Sequence, residues 1–316
     1  MVSPPPKPLT LRLSTDDGPG EVSSTQITEF ARRVAGLSAG SLVVEPAWHV
    51  NGGFVHDWDQ AAARKVIDGK LPLGLIPSRA WDTLGVTSLQ ALSTPMLITD
   101  ESLAAAVVTS PLQPTLLSGL RSVGVTGLSI YPDELRHPFG YEAPMDSLEQ
   151  FGGAVMRVPT SAASTMLYQA LGARTVDDQQ DLLTQRGQDS DYGRDPYSIS
   201  TGNVVWSSNF NVLIVNNASF AALTPSQRAV LRLAAAETQS WAIVNLPTES
   251  DAAARWCHAG HSIVAASPDQ LAAIQRAVAP VRDTLAKDPT TSTLIEGIEA
   301  IKASTGADGP VVACPA

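Results

Sequence analysis

The sequence is poor in positive charge. Among 316 residues, 21 Lys and Arg stand against 31 Asp and Glu, so the formal net charge is −10. Proteins that bind nucleic acid or an anionic membrane surface need clustered basic side chains. We therefore expect no nucleic-acid partner and no membrane-surface binding of that kind.

Long apolar runs and an export signal are also missing. No run reaches the length of a membrane-spanning helix. The first residues, "MVSPPPKPLT", have no basic region followed by an apolar one, but residues 1–8 read as a stiff, proline-rich lead-in. We interpret Met1 as an expression start and infer that an export signal has been cut away. This predicts an extracytoplasmic protein, periplasmic or anchored at the cell surface. The alternative is a cytosolic protein with a ragged start.

The cysteine content is low as well. Cys257 and Cys314 are the two cysteines of the chain. In an exported protein an even count is compatible with one disulfide that ties down the C-terminal tail. Two buried free thiols are the alternative that the sequence leaves open.

Cofactor and metal motifs are not found. No glycine-rich phosphate loop of the required form follows a strand. Cys257, His258 and His261 suggest metal ligands, but Gly260 interrupts them and no second cysteine pair is present, so a helix end that enters a strand is the plainer interpretation. We expect no cofactor and no metal.

The order of apolar segments predicts an α/β protein. Strands are predicted at 9–13, 41–45 and 71–76, with amphipathic helices between them and glycine stops at Gly40 and Gly69. This β-α-β-α-β order is typical of a mostly parallel sheet flanked by helices. A long helix is predicted from Thr224 to Asn245, and 185–202 is predicted to be irregular.

One arginine stands out within an apolar strand. Arg157 lies in "AVMRV", between Met156 and Val158. Burying an unpaired charge is costly, so this guanidinium needs a partner. The partner is either an internal carboxylate, such as that of Glu142, Asp146 or Glu149, or an anionic ligand.

Several collinear segments resemble the extracytoplasmic solute-binding proteins of TRAP-type (tripartite ATP-independent periplasmic) transporters. They are "FARRVAGLSAGSLVVE", "AARKVIDGKLPLGLIP", "APMDSLEQFGGAVMRVPTS", "ALGA" and "NVLIVNNASFAALTPSQRAVLRLAAAET". The resemblance implies a two-lobed periplasmic-binding-protein fold with a long helix that bridges the lobes. Lobe I would comprise 9–122 with 211–246, and lobe II 123–210 with 247–316.

The same resemblance implies the function. A binding protein of this kind, not an enzyme, captures a small organic acid in the cleft between its lobes and delivers it to membrane permease subunits; we expect a monomer. The arginine that matches Arg157 pairs with the ligand carboxylate in the family, and a guanidinium suits this role because its planar fork matches a carboxylate. Arg136 is a second candidate, after a one-residue shift of the alignment.

Two acids follow the first predicted strand, at the sheet edge where ligands of parallel sheets bind. They are Asp16 and Asp17. Carboxylates near an anionic ligand are unfavourable unless a hydroxyl or an amine faces them. We therefore predict a monocarboxylate that carries hydroxyl or amine groups; the alternative is that both acids cap loops.

Aromatic side chains near predicted strand ends could contact the ligand. Trp81 and Trp206 could stack on it, although isolated tryptophans usually pack in cores. The family's Gly-x-Val-Asp-Gly-type turn is replaced here by "GQDSDY", Gly187 to Tyr192, which puts a ligand contact from that turn in doubt. Tyr192 or Tyr197 could still form a wall of the cleft.

Two other functions fit parts of the sequence. "GLSAG", Gly36 to Gly40, has the G-x-S-x-G form of a secreted serine hydrolase with Ser38 as nucleophile. A helix precedes this serine and a strand follows, the reverse of the order in hydrolases, so a helix C-terminus is favoured. A ligand-sensing surface domain without a transporter is the other alternative, because fold alone does not determine function.

Overall fold

Most of the strands are segments rich in β-branched and other apolar residues. The computed structural model describes residues 7–53, 55–177, 185–192, 199–306, 311 and 313–314. Within them the strands are β1 (Leu9–Ser14), β2 (Leu42–Ala47), β3 (Leu73–Pro77), β4 (Val125–Gly140), β5 (Val155–Arg157), β6 (Arg174–Val176), β7 (Gly187–Ser190), β8 (Ile199–Thr201), β9 (Ser207–Asn216) and β10 (Ser262–Val264).

Polar N-caps begin most of the helices. Side-chain oxygens of Asp100, Ser161, Thr224 and Ser267 accept hydrogen bonds from the first turn of the helices that follow them. The helices are α1 (Val22–Leu37), α2 (Trp58–Ile67), α3 (Glu101–Thr109), α4 (Gln113–Ser118), α5 (Leu148–Phe151), α6 (Ala162–Ala170), α7 (Asn217–Ala222), α8 (Pro225–Asn245), α9 (Glu249–His258), α10 (Pro268–Leu285) and α11 (Pro289–Ser304), with 3₁₀ turns at Ser78–Leu84, Gln90–Ser93 and Gly119–Val123.

The chain divides into two compact units. The first comprises Met1–Pro77, Leu117–Tyr131 and Asn211–Leu246; the second comprises Ser78–Leu116, Pro132–Phe210 and Pro247–Ala316. Strands β4 and β9 contribute residues to both units. The lobes expected from the sequence place 78–116 in lobe I, whereas this division places them in the second unit. The lobe boundaries themselves remain a prediction.

A parallel sheet forms the centre of the first unit. Strand β1 pairs in parallel with β2 and β3, and β9 joins β3 in antiparallel orientation. Helices α1 and α8 cover the sheet, and their apolar sides bury Phe30, Val34, Leu231 and Ala234 against Leu13 and its neighbours. A capping box at Thr224 and Gln227, with Pro225 in the first turn, explains why α8 begins where the sequence predicts.

The second unit is also built on a mixed sheet. Strand β5 pairs in parallel with β6 and β7, β4 pairs in antiparallel orientation with β7 and β8, and β10 adds in parallel to β8. One face packs on α6 and α10 through a core that contains Met156, Tyr168 and Trp206. A smaller aromatic core around Phe139, Tyr192 and Trp256 covers another part of the sheet.

The predicted α/β class is confirmed, with local differences. The stretch 185–202 is not irregular throughout, because Gly187–Ser190 and Ile199–Thr201 are strands. The sequence of Asp177 to Arg186 by itself favours a short helix; residues 178–184 lie outside the described part, and 185–186 are not helical. Helix α8 packs on α1 within the first unit, and its bridging role remains a prediction.

The C-terminal tail is tied down by a disulfide. Cys257 on α9 and Cys314 are bonded, with their Cα atoms 5.5 Å apart. This resolves the alternative between a disulfide and two free thiols.

In the part of the chain that the structure describes, no single helix has the length and hydropathy for a membrane span. One pair of helices bent by 72°, Glu101–Thr109 with Gln113–Val123, meets that test jointly.

Candidate functional site

A polar pocket opens in the second unit, where several chain segments meet. It lies beside the residues that follow β3, the start of β9, and the sides of β4, β7 and α6. Its lining includes two arginines, one aspartate, one asparagine and five serines, with a small apolar part: Arg79, Arg136, Asp189, Asn209, Ser78, Ser93, Ser164, Ser207, Ser208, Pro159, Leu167 and Trp206. Such a surface suits a small ligand with one charged group and several hydroxyls.

Arg136 is the most strongly bound cation of the lining. Its Nε donates to Asp189 Oδ1 at 2.8 Å, its Nη1 to Asp191 Oδ2 at 3.3 Å, and its Nη2 to the Asp189 backbone carbonyl. The arginine is 9% exposed and both aspartates are buried. Charges removed from water in this way are stable only when they are paired and hydrogen-bonded. Arg136 is therefore already neutralised by the protein.

Arg79 is the second cation of the lining. It lies in the 3₁₀ turn directly after β3, and its Nη1 donates to Asn209 Oδ1 at 3.1 Å. The amide of Asn209 in turn donates to Asp133 Oδ2 at 3.3 Å. The sequence analysis missed Arg79. Its position immediately after a strand of a parallel sheet is the signal that could have identified it.

Arg157 lies on the other side of the sheet from Arg136. It is half-buried at the end of β5, and its Nη1 donates to Gln188 Oε1 at 3.1 Å. Gln188 is its partner in register on β7, and Phe139 on β4 lies opposite Gln188. Since successive side chains of a strand point to opposite faces, these three share one face. Among the described residues, the pocket lining does not include Arg157.

Trp206 is held in place as an apolar wall of the pocket. Its Nε1 donates to the hydroxyl of Tyr168 at 2.9 Å, and its carbonyl accepts from the backbone N–H of Met96 at 2.7 Å. Lys302 on α11 contacts the residue that follows Met96, because its Nζ donates to the Leu97 carbonyl at 2.7 Å. Burial lowers the pKa of the Lys302 ammonium. Trp206 is thus a rigid surface against which a ligand can pack.

The other two predicted aromatics are packing residues in this structure. Trp81 is fully buried. Tyr192 stacks with His137, at 5.1 Å between ring centroids, and burial raises the pKa of its hydroxyl. Neither is part of the described pocket lining. Tyr197 lies outside the described residues.

Asp16 and Asp17 belong to the first unit, whereas the pocket belongs to the second. Asp16 Oδ1 accepts from the Asn51 backbone N–H at 3.3 Å, and burial raises the pKa of its carboxyl. Asp17 Oδ2 accepts from the Ser23 hydroxyl at 2.6 Å, near the start of α1. Both contacts are those of loop-stabilising acids.

Asp82 fixes the helix that carries part of the pocket wall. Its Oδ2 accepts from the Ser161 hydroxyl at 2.7 Å and from the Ala163 backbone N–H at 3.0 Å, at the first turn of α6. Burial raises the pKa of this carboxyl, and these hydrogen bonds oppose the rise. Asp82 thereby positions Ser164, which lines the pocket.

The geometry at Ser38 does not resemble a hydrolase nucleophile. Ser38 is the C-cap of α1, with β2 following it. Its hydroxyl donates to the Leu42 carbonyl at 3.1 Å and accepts from the Leu42 N–H at 3.1 Å.

Within the described residues, no group of three or more His, Cys, Asp or Glu side chains could hold a metal ion.

Comparison with known proteins identifies the family. The model of the DctP family, bacterial extracellular solute-binding protein family 7, matches residues 14–288. The chain belongs to this family. The DctP match therefore spans most of both compact units, and the resemblance inferred from the sequence is confirmed.

Solved structures confirm the two-lobed fold of TRAP periplasmic solute-binding proteins. A protein from Roseobacter denitrificans with bound β-D-glucuronate has a TM-score of 0.81 at 19% identity, covering 92% of this chain and 99% of that one. The sugar acid binding protein DctPAm from Advenella mimigardefordensis strain DPN7T, in complex with galactonate, has a TM-score of 0.81 at 20% identity, covering 95% and 99%. A protein from Sulfurospirillum deleyianum DSM 6946 with bound succinate has a TM-score of 0.78 at 15% identity, covering 92% and 98%.

One sequence relative is considerably longer. The uncharacterized protein y4mM of Sinorhizobium fredii (strain NBRC 101917 / NGR234) is 27% identical over 175 residues, which are 55% of this chain. This match covers 31% of the relative's length.

Proposed function

We propose that this DctP-family protein captures a small organic acid outside the cytoplasm and delivers it to TRAP-type permease subunits. The favoured ligand is a monocarboxylate that carries several hydroxyl groups. The protein acts as a monomer and performs no chemistry on the ligand.

The polar pocket of the second unit carries this proposal. Five serine hydroxyls and the Asn209 amide surround two guanidinium groups, and one of these, that of Arg136, is neutralised by Asp189 and Asp191. Hydroxyls and amides recognise ligand hydroxyls through hydrogen bonds, whereas a guanidinium recognises a carboxylate. The lining therefore fits one carboxylate attached to a hydroxylated chain.

The solved relatives support the same class of ligand. Glucuronate and galactonate, which the proteins from Roseobacter denitrificans and Advenella mimigardefordensis hold, each have one carboxylate and several hydroxyls. The Sulfurospirillum deleyianum protein holds succinate, which has two carboxylates and no hydroxyl. The serine-rich lining of the present pocket favours the first type.

Two arginines are proposed to contact the carboxylate. Arg79 lines the pocket and has the neutral amide of Asn209 as a side-chain partner. Arg157 is the arginine that the family resemblance singles out, and the neutral amide of Gln188 is a partner of its side chain. We expect the larger contribution from Arg79, because it is already at the pocket surface.

A thermal-shift screen followed by calorimetry tests the proposal. Galactonate, glucuronate and succinate are the probes; a ligand at about 100 times its Kd adds about 2.7 kcal/mol of stability, which a melting curve detects readily. Hydrogen bonds to charged groups contribute about 1.5–3 kcal/mol, so Arg79→Ala should weaken binding about ten- to hundredfold. Arg157→Ala is measured in parallel.

Arg174→Ala provides the matched control. Arg174 is an exposed arginine on β6, next to the strand of Arg157, and its removal changes the net charge equally. We expect its affinity to equal that of the unmodified protein. If no hydroxylated monocarboxylate raises the melting temperature, the proposed function is wrong. If Arg79→Ala and Arg157→Ala both bind the ligand normally, the assignment of the arginines is wrong.

A further inference from the structure

We infer that Asp189 determines specificity in this pocket, by excluding ligands with a second carboxylate and by binding a ligand hydroxyl instead. The inference rests on the proposed function, because it concerns the same pocket. It comes from the segment 187–192, where the sequence departs from the family pattern.

The first step is the position of Asp189. It lies on β7, which runs between β4 and β5, and its side chain is part of the pocket lining. The neighbouring acid, Asp191, also pairs with Arg136, but it is not among the described lining residues. Only one of the two carboxylates is therefore placed to meet a ligand directly.

The second step is the pairing of Arg136 within the protein. All three nitrogens of its guanidinium donate to Asp189 or Asp191. The edge of the guanidinium formed by Nε and Nη2, which could have received a second ligand carboxylate, is thus bound to Asp189. The carboxylate of Asp189 also lines the pocket, and a ligand carboxylate brought against it would be repelled.

The third step is the remaining hydrogen-bonding capacity of Asp189. Its Oδ1 accepts from Arg136 Nε at 2.8 Å, and its backbone carbonyl accepts from Nη2. Among the described residues no hydrogen bond to Asp189 Oδ2 is found. A carboxylate oxygen is acceptor-only, so this position takes a ligand donor such as a hydroxyl.

Pairs of acids that differ at one end of the molecule test this inference. Galactonate and galactarate share their hydroxylated chain, but galactarate has a carboxylate where galactonate has a terminal hydroxymethyl group. Like-charge contacts cost several kcal/mol, so we expect the protein to bind galactarate at least about tenfold more weakly than galactonate. The gluconate and glucarate pair serves as a repeat with another stereochemistry.

Asp189→Asn should remove most of this discrimination. The asparagine oxygen can still accept from Arg136 Nε, the backbone carbonyl is unchanged, and Asp191 still neutralises the arginine, so the variant should fold. We expect the ratio of diacid to monoacid affinity to rise about ten- to hundredfold, measured by calorimetry at fixed ionic strength.

Asp191→Asn is the matched control, because it removes one negative charge that pairs with the same arginine without changing the pocket lining. In Asp191→Asn the ratio of diacid to monoacid affinity should change by less than about a third of the change measured in Asp189→Asn. If monoacids bind but the two variants shift the ratio equally, or neither shifts it, Asp189 is not the determinant while the proposed function stands. If neither monoacids nor diacids bind the unmodified protein, the proposed function itself fails.

Discussion

The disulfide between Cys257 and Cys314 allows a stability prediction that can be worked from the chain alone. The two residues are 57 apart in sequence. In the chain-entropy description, closing a loop of this length restricts the unfolded chain by about 4 kcal/mol. The double variant Cys257→Ser/Cys314→Ser should lose about that much stability, because the serines leave the folded contacts of α9 largely in place.

Differential scanning calorimetry measures this loss. In a domain of this size 1 kcal/mol corresponds to about 2–4 °C, so the melting temperature should fall by about 8–16 °C. The unmodified protein in excess reductant should melt at the same temperature as the double variant. A fall of less than about 3 °C, or two titratable thiols in the denatured, non-reduced protein, would refute the reasoning.

Two further predictions concern positions near the pocket. Asp82→Asn should remove a contribution to stability that the unmodified protein has only in acid. The raised pKa of Asp82 means that this contribution is greatest below the ordinary value of 3.8 and is lost as pH rises through the raised value, so the variant should gain on the unmodified protein as pH rises above about 3.8 in parallel melting curves. An unchanged or falling difference contradicts this. Gly187→Ala places a Cβ 2.0 Å from the Phe139 carbonyl oxygen and should lower the free energy of unfolding in urea by at least about 3 kcal/mol. Gly36→Ala in α1, where the added Cβ has no atom within 4 Å, should instead raise it by about 0.5–1 kcal/mol. Equal urea midpoints for the two variants would contradict the prediction.

Much of the fold could be predicted from the sequence, because its signals are local. The glycine stop after α1, the capping box of α8 and the apolar alternation of β1 each act within a few residues. The strand β7 could not be predicted in this way. Its residues are polar, and they form a strand because β4 and β5 supply hydrogen-bonding partners from distant parts of the chain.

The candidate site was predictable only in part. Arg136 and Trp206 do line the pocket, but Arg136 is tied to aspartates 53 and 55 residues away, and no local pattern could reveal that pairing. Arg79 and the serines were missed because each is an ordinary residue in its own segment. They form a site only where the 3₁₀ turn after β3, the start of β9, β4 and α6 bring them together.

The salt bridge between Arg136 and Asp189 also bears on how this protein could evolve. Aspartate and asparagine codons differ by a single base, and the exchange at position 189 preserves the contact from Arg136 Nε. If Asp189 has the specificity role that we propose, a change in the acids that the protein accepts requires one point mutation.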